Sequence, residues 1–259
     1  MSTLYVVGTP IGNLEDISFR AIAVLQSVDL ILCEDTRMTA RLLERYGINT
    51  PTMSYHEHST ISKIDKIGDL LDEGKNMALV SDAGTPGISD PGTFLVAKIR
   101  ERFGYSAAAH IEPDSHSHGH DHTHEQKDHS DEDISQVHIV AVPGASALTS
   151  ALSIAGVPTD QFTFLGFLPH KKGRETLFKE IATSERTCIF YESPHRIIKT
   201  LESLEKFAPE KKVTIARELT KVFEQVVAGT PHELLTYFTS HPDKIRGEFV
   251  VVVSAQKTP

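Results

Sequence analysis

Residues 80–92 constrain the fold of this chain more than any other stretch, because they hold three glycines and two prolines. The apolar run at residues 77–80 predicts a buried strand before this stretch. The spacing of apolar residues between Phe94 and Phe103 predicts a helix after it, with Asp90 as the N-cap. Glycine lets a backbone approach a ligand, proline fixes the shape of a loop, and a loop at the carboxyl end of a strand is where open α/β sheets bind ligands.

Two further strands are predicted to end in turns of the same kind. Residues 4–7 lead into the sequence GTPIGNL at 8–14, and residues 137–142 lead into PGASA at 143–147. The turn at 8–14 matches neither the GxGxxG nor the Walker pattern, so phosphates of a dinucleotide or a nucleoside triphosphate are not indicated. We expect the three turns to converge at one sheet edge and to form a pocket floor with few side chains, suited to a flat and mostly neutral ligand.

The order of elements predicts an α/β fold with two domains. Strands and helices alternate in residues 1–157, which favours a parallel, doubly wound sheet. Residues 158–259 instead contain adjacent hairpin-like strands with helices between them, which favours a mixed sheet. Local expectations are helix caps at Asp16 and Thr36, a strand at 222–227 and a capping box that starts at Thr230.

Most of the negative charge lies in one segment. Residues 106–134 contain seven histidines and eight acidic residues against one lysine, so they carry −7 of the net charge of −9. This composition predicts a disordered insertion that could bind divalent metals weakly, although it fixes no closed site and no metal ligands are assigned elsewhere. The rest of the chain is nearly neutral, which argues against a strongly basic nucleic-acid binder.

Several features favour a soluble, cytoplasmic protein. Cys33 and Cys188 are two isolated cysteines in apolar runs, which fits a reducing compartment. No apolar run approaches the length of a membrane span, and the N-terminus lacks the pattern of a secretion signal.

Charged side chains near the ends of predicted elements are the candidates for chemistry. Glu34, Asp35 and Arg37 follow a strand, where ligand binding and helix capping with a surface ion pair are equally good explanations. The segment His56-Glu57-His58 is best explained as a solvated loop. A second group lies in the C-terminal part, where spacing alone does not separate function from surface salt bridges: His195, Arg196, Arg217, Glu218, Lys221, Arg246 and Glu248.

Seven motifs in order resemble those of the tetrapyrrole methylase superfamily, and more closely its branch that methylates ribosomal RNA. They are GTPIGNL at 8–14, CEDTR at 33–37, SDAGTPGISDPG at 81–92, VPGASA at 142–147, GFLP at 166–169, ESPHR at 192–196 and ARELTK at 216–221. The resemblance implies a two-lobed fold, a homodimer, and S-adenosylmethionine bound between the lobes. It also implies methylation of the ribose 2′-hydroxyl of a cytidine in 16S rRNA.

The resemblance also assigns site residues by position. The residues expected to line the cofactor are Pro10, Gly84, Thr85, Ile88, Ser146, Ala147, Phe167 and Ala216. Thr85 stands where the porphyrin-type relatives have an aspartate, and the His56-Glu57-His58 segment continues with Ser59 where the family has an asparagine.

The chemistry implied by the resemblance is direct displacement at a sulfonium methyl group by the ribose oxygen, which calls for a base or a stabilising cation. The catalytic candidates are Asp35, Arg37, Glu192, Arg217 and Glu218, with His58 as a further base and Lys221 as a further cation. For an RNA substrate, we expect cationic side chains to face the cleft, at Arg37, Arg196, Arg217, Lys221 and Arg246.

Two other functions stay open at this point. One is a methyltransferase for a small, tetrapyrrole-like molecule, which would need a roomy apolar cleft without the arginine and lysine set. The other is a non-catalytic metal-handling protein in which the histidine-rich segment is the functional part.

Overall fold

The computed structural model describes residues 1–56, 59–104 and 137–255. The predictions for residues 106–134 and for Glu57 and His58 lie outside the described residues.

The first sheet has five parallel strands, in agreement with the predicted parallel arrangement. Their order across the sheet is β3-β2-β4-β1-β5. The strands are β1 (Ser2–Val7), β2 (Leu30–Cys33), β3 (Thr52–Ser54), β4 (Met77–Val80) and β5 (Val137–Val142). The short strand β3 was not predicted.

Helices cover both faces of this sheet, so it is doubly wound as predicted. The helices are α1 (Phe19–Ser27), α2 (Thr36–Arg45), α3 (Ile61–Asp72) and α4 (Gly92–Phe103). Successive residues of β4 alternate between two cores. Ala78 and Val80 pack with Leu25 and Leu43 of α1 and α2, while Leu79 packs on the other face with the helices α3 and α4.

Three of the predicted helix caps were wrong by one or two residues. Helix α1 starts after Ser18, whose hydroxyl accepts a hydrogen bond from the amide of Ala21, instead of after Asp16. Helix α2 is capped by Asp35 instead of Thr36, because the Asp35 carboxylate accepts the amide of Arg37. Helix α4 has Pro91 at its N-cap position, although the Asp90 carboxylate still accepts the amide of Gly92.

The second sheet is mixed, as predicted, with the order β6-β7-β10-β8-β9. Strands β6 and β7 are parallel and the other neighbours are antiparallel. The strands are β6 (Phe162–Phe167), β7 (Thr187–Glu192), β8 (Val213–Arg217), β9 (Gln225–Gly229) and β10 (Phe249–Val253). The prediction of a strand at 222–227 was wrong at its start, because residues 221–224 form a turn in which the Glu224 amide donates to the Lys221 carbonyl.

The remaining helices cover the two faces of the second sheet. They are α5 (Ala147–Ile154), α6 (Arg174–Thr183), α7 (Ile197–Phe207) and α8 (Pro231–Ser240). The predicted capping box at Thr230 is confirmed, since its hydroxyl and the Glu233 carboxylate exchange hydrogen bonds with each other's backbone amides. Helices α6, α7 and α8 bury one face of the sheet.

Helix α5 covers the other face of the second sheet and joins it to the first part of the chain. Ala151 and Leu152 of α5 pack against Ile189 and Val250 of the second sheet, together with Ile11 from the turn after β1. A shared apolar core therefore holds the carboxyl edge of the first sheet beside the second sheet. The domain boundary at residue 157 stays a prediction. Among the described residues, we find no helix that is both long and apolar enough to cross a membrane.

Candidate functional site

The three Gly/Pro turns meet at one edge of the first sheet, as predicted. The strands that precede them, β4, β1 and β5, are neighbours and run parallel, so their carboxyl ends lie together. Thr9 and Gly84 exchange two backbone hydrogen bonds of 2.9 and 3.1 Å, which ties the first turn to the second. The hydroxyl of Thr85 donates to the carbonyl of Ala145 at 3.2 Å, which ties the second turn to the third.

Glycine is required where the first and third turns cross. A Cβ atom placed on Gly144 would lie 2.5 Å from the carbonyl oxygen of Gly8, and one placed on Gly8 would lie 2.7 Å from the Cα of Gly144. No real side chain tolerates such contacts with backbone atoms. These two glycines therefore let the turns pack against each other.

A cavity of about 410 Å³ lies between these turns and the second sheet. This volume falls within the range of sites for small molecules and cofactors. The cavity is bounded on one side by the turns after β1, β4 and β5 and by Glu34, and on the other by residues at the ends of β6, β7 and β10. Both parts of the chain thus contribute to one site.

Six of the eight residues predicted to line the cofactor do line this cavity. They are Gly84, Thr85, Ile88, Ser146, Ala147 and Phe167. The two others lie just behind it. Pro10 is buried beside the turn and lines a neighbouring cavity, and Ala216 is buried in β8, paired with the cavity residue Val250.

An aromatic wall closes the cavity on the side of the second sheet. The rings of Phe167 and Tyr191 lie 5.4 Å apart, and 59% of Phe167 is exposed. Tyr191 also packs edge-on against Phe164. Aromatic faces suit a planar heterocycle and attract cations, so this wall can hold both kinds of group.

Glu192 lies on the same wall but is almost wholly buried and bound to protein groups. One oxygen accepts from Arg196 Nε at 2.6 Å and from the amide of Ser193 at 2.9 Å. The other accepts from the hydroxyl of Thr200 at 2.6 Å, and the guanidinium of Arg174 lies 3.7 Å away. Both oxygens are occupied, so we expect Glu192 to fix the wall instead of accepting a proton from a substrate.

Two neighbouring carboxyl groups lie on the opposite wall. Glu34, just after β2, and Asp90, in the loop before α4, both line the cavity. Burial, together with the nearby carboxyl group of Asp90, raises the pKa of Glu34 to about 7. Burial also opposes ionisation of Asp90, but its interaction with Glu34 and the hydrogen bonds from the amides of Gly87 and Gly92 hold the pKa of Asp90 below its usual value.

A second cavity, of about 380 Å³, adjoins the first. The two cavities share the wall residues Ile11, Ser81, Ala83 and Glu248. The second one carries the cationic side chains of Arg41 and Lys221. Lys221 donates to the carboxylates of both Glu218 and Glu248, at 3.0 and 2.8 Å.

The structure separates Asp35 and Arg37 from both cavities. Their side chains pair with each other at the start of α2, with 2.7 Å between Arg37 Nη2 and Asp35 Oδ2, and the Arg37 side chain is 89% exposed. Hydrogen bonds from Arg37 lower the pKa of Asp35 to about 2. Because Asp35 already has a cationic partner and lies outside the cavities, we do not retain it as a base.

Contrary to the prediction, Arg217 and Arg196 do not face the cleft, because both donate hydrogen bonds to other groups of the protein. Arg217 is buried and donates to the carbonyls of Arg246 and Phe223, at 3.2 and 2.9 Å. Arg196 donates to Glu192 and to the carbonyl of Leu168. Of the five cations that we expected to face the cleft, Lys221 alone lines a cavity among the described residues.

Glu218 has a structural environment as well. It adopts a left-handed conformation with a φ of 51°, and its carboxylate accepts from the amide of Glu248 and from Lys221. These hydrogen bonds lower the pKa of Glu218 although burial opposes them. Glu218 therefore positions Lys221 and is not itself a wall residue.

The sequence analysis missed Ser81 and Asp90 as site residues and left Glu34 undecided. Ser81 and Asp90 lie within the Gly/Pro stretch that indicated a ligand site, so their place in that stretch was the available signal. Within the described residues, we find no group of three or more histidine, cysteine, aspartate or glutamate side chains that could hold a metal ion.

Comparisons with known proteins identify the family of this chain. The family model of the tetrapyrrole (corrin/porphyrin) methylases matches residues 3–110 and 119–235. The ribosomal RNA small subunit methyltransferase I of Synechocystis sp. is 42% identical over 98% of this chain and 79% of that protein. The protein of the same name from Vibrio cholerae is 42% identical over 96% of this chain and 76% of that protein.

The fold has close counterparts among solved structures. The crystal structure of the methyltransferase CobJ aligns with a TM-score of 0.65 over 100% of this chain and 98% of that one, at 18% sequence identity. At this identity the likeness is one of fold.

Proposed function

This chain belongs to the tetrapyrrole methylase family and is an S-adenosylmethionine-dependent methyltransferase, and we propose that it methylates the 2′-hydroxyl of a cytidine in 16S rRNA. The observation that carries the proposal is the 42% identity, over nearly the whole chain, to proteins named for methylation of the small-subunit rRNA. Arg41, an exposed cation on the wall of the second cavity, supports an anionic acceptor, although Asp82 and Glu248 line the same cavity.

The first cavity suits the cofactor by its chemistry. Its glycine-rich floor leaves room for a ligand close to the backbone, and Phe167 and Tyr191 offer ring faces to a planar base. The hydroxyls of Thr85 and Ser146 can orient polar groups, and the acidic wall of Glu34 and Asp90 favours a cation. When bound there, S-adenosylmethionine would supply a methyl group on a positively charged sulfur.

The second cavity is the proposed entrance for the acceptor. Arg41 lies on helix α2 between Arg37 and Arg45, and this four-residue spacing places all three exposed arginines on one helical face. Such a row suits the phosphates of an RNA strand. Ser81 belongs to both cavities, so a hydroxyl group that enters the second cavity can approach the first.

The remaining expectations about partners are part of the same proposal. An rRNA substrate places the protein in the cytoplasm. A homodimer is proposed from the family resemblance, and light scattering of the purified chain would test it. Weak divalent-metal binding by the histidine-rich segment stays a prediction, which deletion of residues 106–134 followed by metal titration would check.

The decisive experiment is transfer of a labelled methyl group to purified 30S particles. We expect label in a single cytidine, at the ribose, where methylation protects the adjoining phosphodiester bond from alkaline hydrolysis. Free 16S rRNA and a tetrapyrrole acceptor serve as parallel substrates. Label on a nucleobase would contradict the ribose assignment, and label on the tetrapyrrole alone would replace the RNA proposal with the small-molecule one.

A further inference from the structure

The carboxyl pair of Glu34 and Asp90 is the feature of the first cavity that cofactor binding alone does not explain. Asp90 is fixed, because one of its oxygens accepts from the amides of Gly87 and Gly92 at 2.9 and 2.7 Å. Within the described part of the chain, we find no such backbone anchor for Glu34. It accepts a hydrogen bond of 3.1 Å from the hydroxyl of Ser81 and lies near the carboxyl group of Asp90.

Two neighbouring, partly buried carboxyl groups resist ionising together, so they titrate as a pair that holds one proton in its intermediate state. The fixed, ionised partner is Asp90, so the proton belongs mainly to Glu34. The pKa of Glu34, raised by burial and by Asp90 to about 7, lies where a general base works best in neutral solution.

The two glutamates on the opposite side of the cavity, Glu192 and Glu248, are already paired with cations. Glu192 has both oxygens occupied by Arg196, Thr200 and a backbone amide. Glu248 is largely exposed and paired with Lys221. Among the described residues that line this cavity, Glu34 thus combines a raised pKa with a carboxyl group that no cation neutralises.

Ser81 links Glu34 to the side from which an acceptor would come. Its residue lines both cavities, and its hydroxyl donates to Glu34. A hydroxyl group bound near Ser81 would therefore lie within one side chain of the Glu34 carboxylate.

We propose that Glu34 is the general base of the methyl transfer, positioned by Asp90 and reached directly or through Ser81. The nature of the acceptor rests on the proposed function, whereas the shared proton of the pair does not. In the step, the acceptor O–H bond breaks and its proton passes to the ionised carboxylate of Glu34. The acceptor oxygen forms a bond to the methyl carbon, and the carbon–sulfur bond breaks with its electron pair left on sulfur, so the sulfonium cation becomes a neutral thioether.

The titratable groups that surround Glu34 are all acidic. Asp82 and Asp90 face it from the loop after β4, and Asp35 follows it directly in the chain. Tyr55, beyond β3, is buried near Asp90, and Glu192 and Glu248 close the cavity from the second sheet. This acidic environment favours the protonated form of Glu34, and a bound cation would favour its ionised form.

The first experiment measures single-turnover methyl transfer to 30S particles as a function of pH. The wild-type rate should rise with pH until Glu34 is ionised and then level off. The substitution Glu34→Gln imitates the protonated side chain, because its amide can donate to Asp90 and its oxygen can accept from Ser81. We expect this variant to bind S-adenosylmethionine within about threefold of the wild type, to lose the pH-dependent limb and to react about 10²–10⁴-fold more slowly.

Two further variants separate catalysis from structure. Asp90→Asn keeps an oxygen for the Gly87 and Gly92 amides but removes the neighbouring negative charge, so the limb should move to lower pH. Glu101→Gln, on the exposed end of α4, is the control for loss of a glutamate and should behave like the wild type. Two results would overturn the proposal. One is a methyl-transfer rate of Glu34→Gln within a few-fold of the wild-type rate, and the other is a loss of cofactor affinity in this variant as large as its loss of rate.

A second experiment requires no acceptor. In infrared spectra of the protein alone, we expect a band of a protonated carboxylic acid that disappears as pH rises through about 7 and is absent from Glu34→Gln. Absence of that band would overturn the proposal even if the rRNA is methylated. Conversely, failure of the wild type to methylate 30S particles would refute the proposed acceptor while this titration still decides the state of Glu34.

Discussion

The two walls of the first cavity each present a buried or half-buried glutamate, in opposite electrostatic surroundings. On the wall of the second sheet, Glu192 lies between the guanidinium groups of Arg196 and Arg174 and accepts hydrogen bonds at both oxygens. On the wall of the first sheet, Glu34 faces another acid, Asp90, and no cation among the described residues. The same residue type is thus paired with cations in one wall and lies beside another acid in the other.

The difference in surroundings gives the two glutamates different physical properties. A buried carboxylate with matched partners is rigid, and removal of that carboxylate leaves uncompensated charges behind. A carboxylate beside another acid costs stability at neutral pH but gains a pKa suited to proton transfer. We infer that the second sheet supplies a stable platform and that the first sheet supplies the reactive edge.

The largest effect that would test this comparison is a loss of stability on removal of Glu192. Glu192→Ala leaves Arg174 and Arg196 in the protein interior without a counter-charge, which should lower the free energy of unfolding by about 3–5 kcal/mol. Urea denaturation at pH 8 measures this loss. Glu175→Ala, which removes an exposed partner of Lys179, is the matched control and should change little.

Glu34→Gln in the same assay completes the comparison. The folded-state pKa of Glu34 is raised, so its favourable contribution to stability is complete below its unfolded pKa and is lost as pH rises through about 7. At pH 8 the neutral glutamine should therefore leave the protein at least as stable as the wild type. Equal losses for the Glu192 and Glu34 variants would break the distinction between the two walls.

A smaller effect concerns the floor between the walls. Gly84 has a φ of 85°, and a Cβ atom there would lie 3.3 Å from the side chain of Ile11, at the cavity surface. Gly84→Leu should weaken cofactor binding at least tenfold, or about 1.4 kcal/mol, as measured by calorimetry. Gly74 has nearly the same φ, 84°, with no atom within 4 Å of such a Cβ and no place in the cavity.

Gly74→Leu is therefore the control for backbone strain alone. Both substitutions place a side chain in a left-handed conformation, which costs roughly 1–2 kcal/mol of stability. Only the change at Gly84 should affect the cofactor. Unchanged cofactor affinity in Gly84→Leu would argue decisively against the cavity as the cofactor site.

The sequence was sufficient for the parts of the molecule that depend on local patterns. Apolar runs that lead into turns rich in glycine and proline predicted β1, β4 and β5, and alternation of strands with helices predicted which turns would meet. The helix starts were less certain, because neighbouring residues such as Asp35 and Thr36 compete to cap the same amide groups.

The chemistry of the walls depends on contacts that no local pattern records. Glu34 meets Asp90 because the first sheet places β2 beside β4, and Glu192, at the end of β7, meets Arg174 because α6 packs against β7. Charged residues near element ends were predicted as one group of candidates, of which Glu34, Glu192, Lys221 and Glu248 line a cavity. Only the three-dimensional arrangement shows which of these residues are bound to other protein groups. Arg217 was therefore predicted as a catalytic candidate although backbone carbonyls hold it, and Glu34 was not, although it lines the first cavity.

The smallest predicted effect tests whether Arg41, on the wall of the second cavity, receives a phosphate. Arg41→Gln should reduce binding to 30S particles while cofactor affinity stays unchanged, because Arg41 lines the second cavity and not the first. If Arg41 contacts one phosphate of a single strand, the slope of log affinity against log salt should become shallower by about 0.7. Arg41 is a better choice than Lys221, whose removal would also leave Glu218 and Glu248 without their cation.

Arg186→Gln is the control for this measurement, since Arg186 is exposed just before β7, at the end of that strand opposite to Glu192. It should leave both the affinity and the salt slope as in the wild type. An equal change in the slope for both variants would indicate general attraction to RNA instead of a contact in the second cavity. Curves without any salt dependence in all three proteins would remove phosphate recognition from the proposal and leave an uncharged acceptor, consistent with a small-molecule methyltransferase.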